Sequence, residues 1–176
     1  QIAPGVIWVA VTFAGLLAVG RSWGKERDGD ALRALLLTPA PRGAIFLGKL
    51  LANIIFLLIV EGVVIPMVAL FFHVELFEVL APLSLLVLLG TIGFAAPATL
   101  FGAMGARGER GGRDLALSIV VFPLITPALL AAVVGTKELF AGAALAEIDV
   151  WLRILISFDA FFLFTGVALF GPLLDD

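Results

Sequence analysis

Two carboxylates sit deep inside apolar stretches of this chain. Glu61 lies near the middle of the run from Ala44 to Phe72, and Asp159 lies within the run from Val150 to Leu174. A charged side chain at such depth in hydrocarbon is expensive, so each must face a bundle interior or be neutral. The chemistry open to them is gating, or coupling between conformations. The competing role is a hydrogen bond between helices with no part in transport. His73 is the single histidine. It offers an imidazole to a cofactor, but its place at the end of the second apolar run fits an interfacial residue better. Met67 and Met104 suit packing more than axial ligation.

Other chemistries find no residues. Cysteine is absent, which removes disulfides, thiolate metal sites and C-x-x-C-H heme attachment. No G-x-x-x-x-G-K-S/T motif is present, so ATP would have to be handled by a partner subunit. GARGERGG at 105–112 is glycine-rich but places no lysine for phosphates, and reads as a turn. No paired carboxylates, metal-ligand cluster or nucleophile triad stands out. The expectation is a chain with no catalytic residues, no metal and no directly bound cofactor.

The elements that must position Glu61 and Asp159 are transmembrane helices. The 176-residue chain is 62% hydrophobic and 14% charged, against about 45–50% and about 25% for a soluble domain. Five stretches approach the roughly 20 apolar residues that a crossing needs. They run over about 3–20, 44–72, 79–104, 115–135 and 150–174. They lack the alternation of barrel strands. The expected fold is therefore an all-α polytopic bundle, one transmembrane domain over 1–176. Pro66, Pro82, Pro97, Pro123 and Pro127 fall inside the spans, where a bundle tolerates them. Pro123 and Pro127 stand four apart and predict a broken or re-entrant fourth span. Gly90, Gly93, Gly102 and Gly105 permit close helix approach, and Trp8, Trp23 and Trp151 suit the membrane–water boundary. A net charge of -3 argues against nucleic acid as the partner.

Charge sets the orientation. Arg21, Lys25, Arg27, Arg33, Arg42 and Lys49 cluster after the first span, and Arg107, Arg110 and Arg113 after the third. The other two connections carry only Lys137 and Arg153. The basic side is assigned to the cytoplasm. His73–Glu78 and Thr136–Asp149 then lie outside, with Gln1 outside and Asp176 inside. One further span before Gln1 would make six.

The connection at 21–43 is the most informative. Asp30 can cap a short helix, on which Leu32, Leu35 and Leu36 form one apolar face with Arg33 turned elsewhere. Pro39 and Pro41 stop it. Such a helix rests in the lipid interface or docks in a groove on a partner.

Several ordered motifs resemble one family. IAPGVIWVA at 2–10 is similar to the second transmembrane segment of CcmB, the permease subunit of cytochrome c maturation systems. The likeness continues through RSWGKERDGDALRALLLTPAPRGAIFLGKLLAN at 21–53, LLGTIGFAAPATLFGAMGA at 88–106 and RGGRDLALSIVVFPLITPALL at 110–130. The resemblance implies an ABC-2-type permease of a bacterial inner membrane with six helices, two copies per assembly. Its partners would be a cytosolic ATPase (CcmA-like), CcmC-like and CcmD-like membrane subunits, and the heme chaperone CcmE, with heme as cargo. It further implies that residues 26–38 form a coupling helix in the ATPase cleft, with Glu26, Asp28, Asp30, Leu32, Arg33, Leu35 and Leu36 as contacts. The chain departs from the pattern in lacking the family's N-terminal amphipathic segment and first helix, in a short loop after the fourth span, and in Glu61, where some relatives are mostly apolar. Two alternatives stay open. One is an ABC-2 permease for a lipid-like or other small molecule. The other is a membrane scaffold that recruits the heme chaperone and transports nothing.

Overall fold

The computed structural model describes residues 2–28, 41–105 and 113–175, with side chains described over 2–19, 41–103 and 121–172. The described residues form five α-helices: α1 (Ala3–Asp28), α2 (Arg42–Phe72), α3 (Leu76–Gly105), α4 (Arg113–Phe140) and α5 (Asp149–Asp175). Helices α2 to α5 are each long and apolar enough to cross a membrane, and α1 holds the shorter apolar stretch Ala3–Val19. At a rise of 1.5 Å per residue that stretch covers roughly 25 Å, the lower end of what a span requires. The chain is a multi-pass helical membrane protein, as its composition requires.

Helix α3 is the axis of the bundle. It packs against all four others, while α1, α2, α5 and α4 each touch the next around it and close a ring. Its sequence explains the placement: the surface of α3 is cut down to Gly90, Gly93, Ala95, Ala96, Ala98 and Ala103, and the described ones are buried. Lipid offers helices no hydrophobic drive to associate, so close packing of small residues must supply it. The outer faces of the ring are apolar: Leu70, Phe71, Phe77 and Phe164 stand exposed. On a soluble protein such surface would be an aggregation patch; in a bilayer it meets acyl chains.

Two sequence expectations fail here. The fourth span is neither broken nor re-entrant, because α4 runs unbroken through Pro123 and Pro127. The two rings share one outward face of the helix, and the Thr126 hydroxyl donates to the Phe122 carbonyl at 2.8 Å within the same turn. Outward rings clash with no neighbour, and a hydroxyl eases the interrupted ladder. The Ser84 hydroxyl donates to the Ala81 carbonyl at 2.8 Å, one turn back in α3. The second difference lies at Arg21–Asp28, read from sequence as the start of a connection. It continues α1 as helix, since charge alone does not end a helix and the first break signal after the run is Gly29.

At one end, α2 closes on His73 in the left-handed region (φ 54°), whose N–H bonds the Ala69 carbonyl. Residues 141–148 turn α4 into α5 at that same end, through Gly142 at φ 92°. Ala3, residues 72–79 and residues 139–142 gather around one cleft there. The charge pattern assigns this end to the outside. At the other end, the start of α2 meets the end of α5, with Gly43 beside Val167 and Gly171 beside Arg42.

Candidate functional site

The buried polar side chains converge on α3. Thr91 and Thr99 lie eight residues apart and therefore near one face of that helix. Helix α2 answers with Glu61 and Asn53, also eight apart, in antiparallel register. Thr91 Oγ1 lies 2.8 Å from both carboxyl oxygens of Glu61, and Asn53 Nδ2 donates to Thr99 Oγ1 at 2.9 Å. The two rungs are about 12 Å apart along the helices. The Thr91 hydroxyl is also 2.7 Å from the Val87 carbonyl. It carries one hydrogen, so only one of these three oxygens can receive it at a time. Glu61 is 2% exposed and thus sits inside the bundle.

Asp159 approaches α3 from the opposite flank. A Cβ added at Gly93 would lie 3.0 Å from Asp159 Oδ1 and 3.1 Å from the Ala128 Cβ. The carboxyl is therefore wedged where α3, α4 and α5 meet. Thr91 and Gly93 are two residues apart on α3, about 3 Å in height and about 200° in direction. The helix axis thus separates two carboxyls at nearly one depth. They differ in their company. Asp159 is 4% exposed, yet neither oxygen meets a hydrogen-bond donor among the described residues. Leaving a buried polar group unsatisfied costs about 1–3 kcal/mol, more if charged.

The remaining ring contacts are structural. Trp8 is 2% exposed, its indole laid against Gly90 and its Nε1 donating to Thr136 Oγ1 at 3.0 Å. The missing side chain at Gly90 makes room for it, so the indole is buried between helices rather than turned to lipid. Trp151 is half-buried near the outer end and donates to Glu138 Oε2 at 3.0 Å, which suits a boundary tryptophan. Trp23 lies outside the described side chains.

His73 stands at the outer cleft, a cavity of about 390 Å³ lined by Phe72, His73, Glu75, Glu78, Leu139 and Phe140 among others. One imidazole and two carboxylates share apolar walls there. Among the described residues no group of three or more His, Cys, Asp or Glu is placed to hold a metal. Of the expected coupling contacts, Asp30, Leu32, Arg33, Leu35 and Leu36 lie outside the described residues. Glu26 and Asp28 belong to the last turns of α1 by backbone only. The structure thus sets Glu61 and Asp159 on opposite flanks of α3 at one depth, and His73 far from both at the helix ends. Sequence reasoning missed Thr91, Thr99 and Asn53. The available signal was a lone amide in an apolar run and two threonines at helical spacing.

A family model described as CcmB protein matches residues 1–170. Heme exporter protein B of Rhodobacter capsulatus is 28% identical over 164 residues, covering 91% of this chain and 71% of that protein. Heme exporter protein B of Pseudomonas aeruginosa is 28% identical over 136 residues, 73% of this chain and 56% of that protein. The Escherichia coli K12 protein of the same name is 40% identical over 53 residues, 30% of this chain and 24% of that protein. In the latter two the chain spans less than two thirds of the relative's length. No solved structure matches.

Proposed function

Because this chain belongs to the CcmB family, we propose that it is the permease subunit of an ABC transporter assembly in cytochrome c maturation. In this reading it sits in a bacterial inner membrane and couples ATP hydrolysis by a partner to heme delivery, or to release of the heme-loaded periplasmic chaperone. The observation that carries the proposal is the match of the family model over 1–170, on a chain whose described part is a five-helix membrane bundle. These 176 residues carry no nucleotide motif, and the reading gives ATP hydrolysis to a CcmA-like partner subunit. CcmC-like and CcmD-like membrane proteins, a CcmE-like chaperone and a second permease copy complete the assembly. No cofactor is bound by this chain; heme is cargo.

The geometry supports a way for ATPase motion to reach the bundle. Helix α1 is continuous from Ala3 to Asp28, so a push that reaches Glu26 to Asp28 is carried along one helix into the bundle. That helix is anchored on the central helix by Trp8 against Gly90. A shift of α1 therefore bears on α3, the helix every other element packs against. Rocking between two packings of a bundle is an established mode of such coupling.

The test is genetic. Deleting the gene in its native host should abolish covalent heme in c-type cytochromes, and the full-length gene should restore it. If the heme bands are unchanged, the maturation reading fails and a permease for another small molecule replaces it. If they depend on the protein while its ATPase partner is dispensable, the scaffold reading replaces it.

A further inference from the structure

The seams around α3 are unequal. Helix α2 is tied to α3 by Glu61–Thr91 and Asn53–Thr99. Around the ring, α1 is tied to α4 by Trp8–Thr136 and α4 to α5 by Trp151–Glu138. Between α3 and each of α1, α4 and α5, no side-chain hydrogen bond is found among the described residues. Of these untied seams, the one with α5 sets Gly93 against Phe158 and Asp159. A seam without hydrogen bonds can part without one having to be remade in the membrane interior. The α3–α5 seam also holds the one buried side chain whose polar atoms lack a partner among the described residues, the Asp159 carboxyl.

A carboxyl in this state is poorly served by the packing seen and well served by water. Intramembrane carboxyls generally face cavities or partners, and Glu61 has its partner. Among the described residues, Asp159 has none. We propose that the α3–α5 seam at Gly93 opens to water during the transport cycle, and that Asp159 is the side chain it wets. Glu61, by contrast, stays closed in both states as part of the fixed α2–α3 pair. The proposal rests on the permease reading and names the route within it.

The 176 residues contain no cysteine, so an introduced thiol is the one reporter among them, and the unsubstituted full-length complex labelled in parallel sets the background. Asp159→Cys is placed in the full-length protein within its native complex, in membrane vesicles of both orientations. Labelling by a membrane-impermeant thiol reagent is compared with ATP and with a non-hydrolysable analogue. Leu155→Cys, one turn away on the same buried face, keeps the carboxyl and serves if Asp159→Cys does not accumulate. Phe164→Cys, exposed to lipid, is the control. The expected result is labelling at 159 or 155 at least tenfold faster with ATP than with the analogue, from one side, with Phe164→Cys unlabelled. Absence of labelling in both conditions, or equal labelling in both, overturns the proposal. Heme staining of the same cells separates the two readings. If cytochrome maturation depends on the protein and 159 and 155 stay unlabelled, only the route fails. If maturation does not depend on it, the maturation reading fails whatever the label shows.

Discussion

The Thr91 hydroxyl reaches across the α2–α3 interface to within 2.8 Å of both oxygens of Glu61. Removing Thr91 strands the Glu61 carboxyl in a dry interface, whereas removing Glu61 leaves the Thr91 hydroxyl its bond to the Val87 carbonyl. Thr91→Val should therefore lower the thermal stability of the detergent-solubilised protein by about 1–3 kcal/mol, and Glu61→Leu with Thr91→Val should recover part of it. The coupling in that double-mutant cycle should fall near the 0.6–1.7 kcal/mol typical of interhelical bonds, roughly. Additive effects would mean that the contact contributes nothing.

Gly93→Ala places a methyl 3.0 Å from Asp159 Oδ1 and 3.1 Å from the Ala128 Cβ, tight enough that these neighbours must give by a few tenths of an ångström. Overpacking of this kind costs about 1–3 kcal/mol. Shortening the side chain it meets should relieve it: Gly93→Ala should be milder in an Asp159→Ala background than in the wild type. Equal penalties in the two backgrounds, read from melting curves, would show that Ala128 alone sets the cost.

Trp8→Phe keeps most of the ring against Gly90 but loses the bond to Thr136. The Thr136 hydroxyl still donates to the Ala132 carbonyl at 2.7 Å, so the loss should be modest, about 1 kcal/mol. Gly90→Ala drives a methyl into the indole and should be the more damaging of the two. The reverse order would contradict Trp8 as a core residue.

These residues also mark how far the sequence could be read. The helices were legible because apolar runs of crossing length admit few other structures, and α2, α3 and α5 start or end within a few residues of expectation. Glu61 and Asp159 were legible because charge inside such runs is conspicuous. Their difference was not, since it depends on which residues face them: a carboxyl beside Thr91 and a carboxyl beside Gly93 look alike along one chain. The burial of Trp8 was not legible, since only the pairing of α1 with α3 shows that Gly90 makes a slot for it. The continuity of α4 is not legible in the sequence, because the four-residue spacing of Pro123 and Pro127 fits a break and fits two rings on one outward face equally.

The segment 21–43 is accessible to the same kind of test. Leu32→Asp with Leu35→Asp should abolish co-purification of the ATPase subunit while leaving insertion and the melting profile of the bundle intact. Retained ATPase binding would remove residues 26–38 from the coupling role and leave the helix to the lipid interface.

The central claim is that this membrane bundle serves cytochrome c maturation. The most direct measurement is a heme-stained gel of c-type cytochromes from the native host, with the gene deleted and then restored in full length. The account predicts loss of the covalent heme bands on deletion and their return on complementation. Bands of unchanged intensity in the deletion strain would contradict it.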